Sequence, residues 1–288
     1  MNQNFYDKLN NVIAKDSILI DEPMSRHTTF RVGGPADFFV TPKAKEEVRD
    51  VIRICKEAGM PYYIIGNGSN LLVSDAGYRG VIVQIYKEMN EVKVEGDLVK
   101  AQAGALLSGI AAKALGAELS GFEFASGIPG TIGGACVMNA GAYGGEMKDV
   151  LESVTVLTGE GKIIELGRNE LELGYRTSVI AKKCYIVLGA VLKLERGDGE
   201  KIKTYMDELK EKRVTKQPLE YPSAGSTFKR PEGYFAGKLI EDAGLRGFQV
   251  GGAQVSEKHC GFVINRDHAT AADIMELMRQ VQIRVKEN

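Results

Sequence analysis

The sequence predicts an α+β protein of two or three domains, on three observations. At 288 residues it exceeds one small module, at roughly 100–200 residues per domain. Its apolar residues recur with both helical and strand periods, in alternating stretches. With 44% hydrophobic and 26% charged residues the composition is globular, so a disordered chain is excluded.

The first clear element is a helix opening at Thr41-Pro42, an N-cap followed by Pro at the first helical position. Val48, Val51, Ile52 and Cys55 give it one apolar face, and Gly59 closes it. Upstream, residues 28–40 read as two strands around Gly33-Gly34-Pro35. Downstream, residues 61–66 read as a buried strand running into the turn Gly66-Asn67-Gly68-Ser69-Asn70, and another strand begins at Gly80. Residues 1–83 thus form one α/β segment.

Residues 91–101 alternate around Glu95-Gly96-Asp97 and residues 153–166 around a Thr-Gly-Glu-Gly turn, two hairpin signals. Between them lie a helix at 105–117 and a glycine-rich stretch at 121–145; a strand follows at 185–194. This second, α+β segment covers 84–200. The last segment, 201–288, holds a charged helix at 202–213 and a turn-rich loop at 221–234. A short helix at 235–245 and two strands follow it. Thr270-x-x-Asp273 is a capping box, opening a helix with Ile274, Leu277, Met278, Val281 and Val285 on one face.

Lys plus Arg number 37 against 38 Asp plus Glu, a net charge of −1. That balance argues against a nucleic-acid or anionic-membrane binder and permits a monomer. The four cysteines are far apart and the three histidines have no ligand spacing, so neither a disulfide scaffold nor a metal site is expected. A signal peptide is not visible. The longest uncharged run, Phe124 to Gly145, holds seven Gly, Pro129 and Asn139, too polar and broken to span a bilayer. A cytoplasmic protein is expected.

Glycine is the outlier, at 34 residues. That is about 12% against an average of about 7%. Gly66 to Asn70 follows a strand, where its amides could hold phosphate oxygens. It is not a Rossmann fingerprint, since Leu71 stands where the third Gly belongs, nor a P-loop; alone it favours an ordinary tight turn. Residues 126–145 are stronger. So many glycines with so little charge suit an extended anionic ligand held by backbone N–H groups, and two such loops suit a dinucleotide. Ser226-x-x-Lys229 resembles an acyl-transfer motif, but its S-D-N and K-T-G companions do not follow. Arg176 is either a paired structural charge or a grip for a substrate carboxylate, and the residues alone leave both open. His27 and His259 read as hydrogen-bonded structural residues.

Six segments occur in order: HTTFRVGGPADFFV (27–40), IIGNGSNLLVSD (64–75), SGIPGTIGGACVMNAGAYGGEM (126–147), GYRTS (174–178), AGSTFKRP (224–231) and GKLIEDAGLRGFQVGGAQVS (237–256). From about residue 20 onward the chain closely resembles the UDP-N-acetylenolpyruvoylglucosamine reductase (UDP-N-acetylmuramate dehydrogenase) family. The short interval between Ser178 and Ala224 matches that family's smaller form, which lacks an extra substrate-covering loop. The resemblance implies a two-subdomain FAD module of the vanillyl-alcohol-oxidase (PCMH) type, in 1–83 and 84–200, plus a smaller α/β substrate domain in 201–288. It implies an NADPH-dependent, FAD-mediated oxidoreductase of peptidoglycan precursor synthesis, with UDP-N-acetylglucosamine enolpyruvate as its small-molecule substrate.

The resemblance also places residues. FAD would be held by Arg31, Gly33, Ile65, Gly66, Asn67, Gly68, Ser69, Asn70 and Leu71, and by Gly127, Ile128, Pro129, Gly130, Thr131, Gly133 and Gly134. Asn139, Gly141 and Ala142 would lie near the flavin. Arg176 matches the residue that stabilises charge developing at C2 of the enolpyruvyl group, and Ser226 the proton donor to C2, with Lys229 a candidate helper. Tyr175, Lys216 and Arg230 match substrate positions; Arg230 replaces an Asn of the longer form. The family also carries a catalytic Glu in a Leu-x-x-Glu-Val context after the last helix. The sequence reaches Asn288 without it, and Glu287 is too early. An FAD-dependent oxidase of the same fold and a non-catalytic flavin or sugar-nucleotide binder are the competing readings.

Overall fold

The computed structural model describes residues 3–288. Residues 1 and 2, within the expected 1–83 segment and the polar N-terminus, lie outside the described residues. The chain divides into two compact units. Unit 1 is Met1–Ile20, Phe38–Asn67 and Gly80–Glu211; unit 2 is Asp21–Asp37, Gly68–Arg79 and Lys212–Asn288. Each unit therefore gathers stretches distant in sequence.

Helix α1 (Gln3–Asn10) precedes a four-stranded sheet made of β1 (Ile18–Pro23), β2 (Pro35–Val40), β3 (Tyr62–Ile65) and β4 (Tyr78–Gln84), in the order β1-β2-β4-β3. Helix α2 (Lys45–Glu57) joins β2 to β3, and β3 pairs with β4 in parallel, Tyr62 opposite Val81, with residues 66–77 as the crossover between them. Parallel neighbours need such a crossover. In unit 1 the apolar face of α2 buries Val48, Val51, Ile52 and Cys55 as its periodicity predicts.

A five-stranded sheet holds the rest of unit 1's strand structure. Its members are β5 (Val92–Glu95), β6 (Leu98–Gln102), β10 (Leu151–Leu157), β11 (Ile163–Gly167) and β12 (Ile186–Lys193), ordered β11-β10-β12-β6-β5. Both expected hairpins are present in it, β5–β6 and β10–β11. Between them run α3 (Leu107–Gly116), the short β7 (Leu119–Ser120), α4 (Ile132–Met138), the hairpin β8 (Gly141–Ala142) and β9 (Gly145–Glu146), and α5 (Met147–Val150). Helix α6 (Val179–Lys182) lies between β11 and β12, and β13 (Glu195–Arg196) follows β12 and pairs with β7. Helix α7 (Gly199–Lys216) carries the chain out of unit 1. Val99, Leu107, Ile110, Ile132, Val154 and Leu192 belong to one continuous core in this unit.

Unit 2 has a separate core built on β14 (Ser223–Ser226), α8 (Ala236–Asp242), β15 (Gln249–Val250), β16 (Ala253–Val255), β17 (Phe262–Asn265) and α9 (Ala271–Glu287). The strands order as β14-β17-β16-β15. Helix α9 buries Ile274, Leu277 and Val281, and each such side chain contributes roughly 1.5–3 kcal/mol. The predicted capping box is formed: Thr270 Oγ1 accepts from the Asp273 amide (3.0 Å) and the Asp273 carboxylate from the Thr270 amide (2.9 Å). Asp75 adds to it, accepting from the Ala271 and Ala272 amides at 2.8 and 3.0 Å.

Three local expectations are corrected. Helix α2 opens at Lys45 with Ala44 as N-cap, not at Thr41. Pro42 biases Thr41 to extended backbone, and the Thr41 amide bonds the Ser17 carbonyl, so the strand direction persists. Residues 28–34 form no strand. The Thr28 hydroxyl donates to the Val32 carbonyl (2.9 Å) and closes the segment into a turn. The 221–234 loop contains strand β14, whose edge position against β17 supplies partners the turn-rich sequence does not advertise. Among the described residues no helix is long and apolar enough to cross a membrane.

Candidate functional site

In unit 1 the two glycine loops meet. Strand β3 delivers Ile65, buried, and Gly66, whose carbonyl accepts from Gln84 Nε2 at 3.2 Å. Asn67 Nδ2 donates to the Pro129 carbonyl (3.0 Å), tying the first loop to the second. A Cβ on Gly66 would stand 2.3 Å from Thr131 Oγ1, so only glycine permits that approach. Thr131 is 3% exposed and is the N-cap of α4, accepting from the Gly134 amide (3.4 Å). The Ile132 and Gly133 amides bond the Ala105 and Ala103 carbonyls, and Gly130 and Ile128 hydrogen-bond one another through the backbone. A Gly133 Cβ would press on Ala103 at 3.0–3.1 Å. Gly66 and Gly133 thus bring backbone and neighbouring residues closer than a side chain would allow.

Other glycines of the stretch have packing reasons. A Cβ on Gly141 would meet the Gly145 carbonyl at 2.7 Å, and one on Gly145 the Phe124 ring at 2.6 Å. Tyr143 (φ 52°) and Gly144 (φ 90°) turn the β8–β9 hairpin, with Ala142 opposite Gly145.

In unit 2, Gly68 has φ +63° and a Cβ there would strike the His27 carbonyl at 1.9 Å. Its own carbonyl accepts from the Thr29 amide, and the Thr29 hydroxyl is a buried oxygen with no hydrogen-bond partner among the described residues. Ser69, Asn70 and Leu71 continue this loop, none of them buried. Gly33 packs against Val73 and Met24, where a Cβ would be 2.8 and 3.1 Å from their Cβ atoms. Arg31, at φ 56°, lines a cavity of about 490 Å³ with Tyr221, Asn265, Arg266 and His268. That volume lies within the usual range for ligand pockets. Sequence reasoning missed Arg266 and His268, because only the fold brings β17's far end beside Arg31.

Arg176 sits at the tip of a tight turn in unit 1. Gly174 and Thr177 exchange backbone hydrogen bonds (3.1 and 3.2 Å), and Arg176 itself is left-handed, φ 54°. Its guanidinium lies 5.5 Å from the Tyr175 ring centroid, a cation–π distance, and Tyr175 is exposed. The turn is held from below. Asn139, 1% exposed and left-handed at the end of α4, donates from Nδ2 to the Gly174 carbonyl (3.1 Å) and to Glu146 Oε2 (2.9 Å). Its Oδ1 accepts from the Lys148 amide at 2.9 Å. The Asn139 side chain is thereby consumed within the protein, and its backbone amide bonds carbonyls of α4. Hydrogen bonding and ion pairing with Lys148 foremost, then the Asn139 amide and the Arg176 charge, hold the Glu146 carboxyl below the usual carboxylate range. Nothing local in the sequence marked Glu146 as part of this network.

Ser226 closes β14 in unit 2, opposite Phe262, after a register irregularity at left-handed Gly225 (φ 80°). Such irregularities re-aim strand side chains. Ser226 is exposed, and among the described residues no hydrogen bond joins it to Lys229. Lys216 is exposed at the end of α7, and the Arg230 guanidinium stacks 4.1 Å from the Phe235 ring centroid. His27 shares a 2.9 Å hydrogen bond with Glu22, and His259 Nδ1 accepts from the Gly261 amide, the structural roles expected of both. Burial pushes the Cys55 and Cys136 thiols up to about 12, which removes them as nucleophiles at neutral pH.

The FAD binding domain family matches residues 36–167, and the family described as UDP-N-acetylenolpyruvoylglucosamine reductase, C-terminal domain, matches residues 217–288. The chain is 54% identical over 277 residues to UDP-N-acetylenolpyruvoylglucosamine reductase of Clostridioides difficile, covering 96% of this chain and 91% of that one. It superposes on the crystal structure of UDP-N-acetylenolpyruvylglucosamine reductase from Thermus caldophilus with a TM-score of 0.81 and 38% identity, over 92% and 93% of the two chains. p-Cresol methylhydroxylase shares the fold alone, with a TM-score of 0.51 at 18% identity over 68% of this chain and 43% of that one. The FAD binding domain match and these relatives define an FAD-dependent oxidoreductase, on a fold shared with p-cresol methylhydroxylase. Within that class the chain belongs to the UDP-N-acetylenolpyruvoylglucosamine reductase family.

Proposed function

We propose that this chain catalyses the NADPH-dependent reduction of UDP-N-acetylglucosamine enolpyruvate to UDP-N-acetylmuramate, as a cytoplasmic monomer in peptidoglycan precursor synthesis. The observation that carries the reading is the junction of the two glycine loops in unit 1, where Gly66 approaches Thr131 too closely for any side chain. FAD held there would supply the hydride, taken from NADPH and given through N5 to C3 of the enolpyruvyl group.

The chain's own residues do the rest. Gly66, Asn67 and the Gly127–Gly134 backbone hold the FAD diphosphate, continued by Gly68 to Leu71 and by Arg31 and Gly33. Backbone around Asn139, Gly141 and Ala142 lies beside the flavin. Hydride arriving at C3 leaves negative charge at C2, delocalised onto the carboxylate. Arg176 stabilises that charge, as a preorganised cation does in an oxyanion hole. The Ser226 hydroxyl gives its proton to C2, completing addition of one hydride and one proton across the double bond. Lys216 meets the UDP diphosphate, and Tyr175 and Arg230 hold the substrate beside it. Segments 1–83 and 84–200 carry the flavin and 201–288 the substrate.

The test is an absorbance spectrum of the purified protein, then anaerobic addition of NADPH and of the enolpyruvyl substrate. Flavin absorbance that bleaches with NADPH and returns with substrate supports the reading. A protein that gains no flavin absorbance on titration with FAD overturns it. Reoxidation by oxygen but not by substrate would leave an oxidase.

A further inference from the structure

We propose that Glu146 is a positioning residue for Arg176, acting through Asn139. The proposal rests on the reading of Arg176 as the group that stabilises charge at C2. Arg176 stands at the tip of a turn, and a turn tip is set by whatever anchors its base. Here the base is the Gly174 carbonyl, which accepts from Asn139 Nδ2. The Asn139 amide is in turn oriented by Glu146 Oε2 at 2.9 Å and by the Lys148 amide on its Oδ1.

Glu146 is itself fixed from two sides. Its side chain caps α5 in a capping box with Asp149, and it pairs with Lys148 Nζ at 2.9 Å. The order Glu146, Asn139, Gly174, Arg176 is therefore an unbroken run of hydrogen bonds and backbone. Without the Glu146 acceptor the Asn139 amide keeps the Lys148 amide on its Oδ1 but loses one of the two groups that orient it, and its hold on Gly174 weakens. The side-chain tether of the Arg176 turn, on its Gly174 carbonyl, is then loosened. Misplacing a charge-stabilising group by about 1 Å costs up to about a hundredfold in rate.

Stopped-flow measurement of both half-reactions separates this role from a structural one. Glu146→Ala should slow flavin reoxidation by the enolpyruvyl substrate about ten- to a hundredfold. Reduction by NADPH and flavin content should stay near the parent's. Glu146→Gln keeps an acceptor for Asn139 and should restore most of the reoxidation rate. Should Glu146→Ala not fold, Glu146→Met keeps the bulk without the acceptor and takes its place. The double variant with Arg176→Lys should be little slower than Arg176→Lys alone. Equal slowing of both half-reactions, or none, overturns the proposal. If Arg176→Lys itself leaves reoxidation unchanged, the reading of Arg176 fails instead.

Discussion

Gly66→Ala is a direct test of the loop junction. The new methyl would stand 2.3 Å from Thr131 Oγ1 and 3.2 Å from its Cγ2. Carbon and oxygen rest at about 3.3–3.6 Å, so the two loops must part by about 1 Å. Thr131 has little room to swing, being 3% exposed and engaged as the cap of α4. Rotating it away forfeits the cap, about 1 kcal/mol. Parting the loops instead strains the Asn67–Pro129 hydrogen bond and carries the usual overpacking cost of about 1–3 kcal/mol. FAD affinity should fall about ten- to a hundredfold if that cost falls on the bound state. The chain has no Trp, so quenching of flavin fluorescence on titrating the apoprotein is a clean assay. Thr131→Ala removes both clashing atoms. In that background Gly66→Ala should cost far less than in the parent. Unchanged affinity for Gly66→Ala, or strict additivity of the two changes, would refute the junction as part of the flavin site.

Three further outcomes are expected. Arg176→Lys keeps the charge but loses the planar fork. Stopped flow should show substrate reduction about 10²–10³ slower, with NADPH oxidation nearly intact, and equal loss in both would contradict its role. Ser226→Ala should lower product formation about 10²–10⁴-fold while leaving a yellow, reducible protein, and Ser226→Cys should retain more; unchanged turnover means the proton comes from elsewhere. Asp273→Asn should destabilise unit 2 by about 1 kcal/mol near neutrality. The Thr270 amide foremost lowers the Asp273 pKa. A lowered native value means its stabilisation is full above the unfolded value and disappears as pH falls through the native one. The melting-temperature gap between parent and variant should therefore close in acid, and a gap that persists there counts against the carboxylate as its source.

Local signals in the sequence were legible. The two hairpins, the apolar face of α2 and the Thr270–Asp273 capping box each depend on residues within a few positions of one another. What depended on distant contacts was not. Thr41 looked like a cap until the Ser17 carbonyl claimed its amide. Ser223–Ser226 looked like loop until β17 supplied an edge. Glycine was legible only as a class. Gly66 and Gly133 make close approaches within the two glycine loops, but Gly34 faces the Asp75 carbonyl and Gly77 the Pro35 carbonyl, where any Cβ would collide. Sequence records that a side chain is missing, not whether a ligand or another backbone occupies its place.

Backbone strain gives a test between the two readings that the sequence left open for Arg176. A non-glycine residue in the left-handed region costs about 1–2 kcal/mol, and this chain uses glycine freely. Asn139 repays that cost visibly, with three hydrogen bonds from a buried side chain. Arg176, at φ 54°, has its contact with the Tyr175 ring and acts on the Glu146 carboxyl through its charge, without a direct ion pair to a carboxylate among the described residues. A structural charge would need a partner to justify its strained site; a charge kept for a substrate carboxylate would not. Arg176→Gly therefore should not weaken the fold. Relief of the left-handed strain, about 1–2 kcal/mol, outweighs the roughly 0.5–1 kcal/mol of added unfolded-state entropy. Thermal and denaturant unfolding should show stability unchanged or raised by up to about 1 kcal/mol, while substrate reduction is lost. A clear loss of stability would return Arg176 to a structural role and take the proposed chemistry with it.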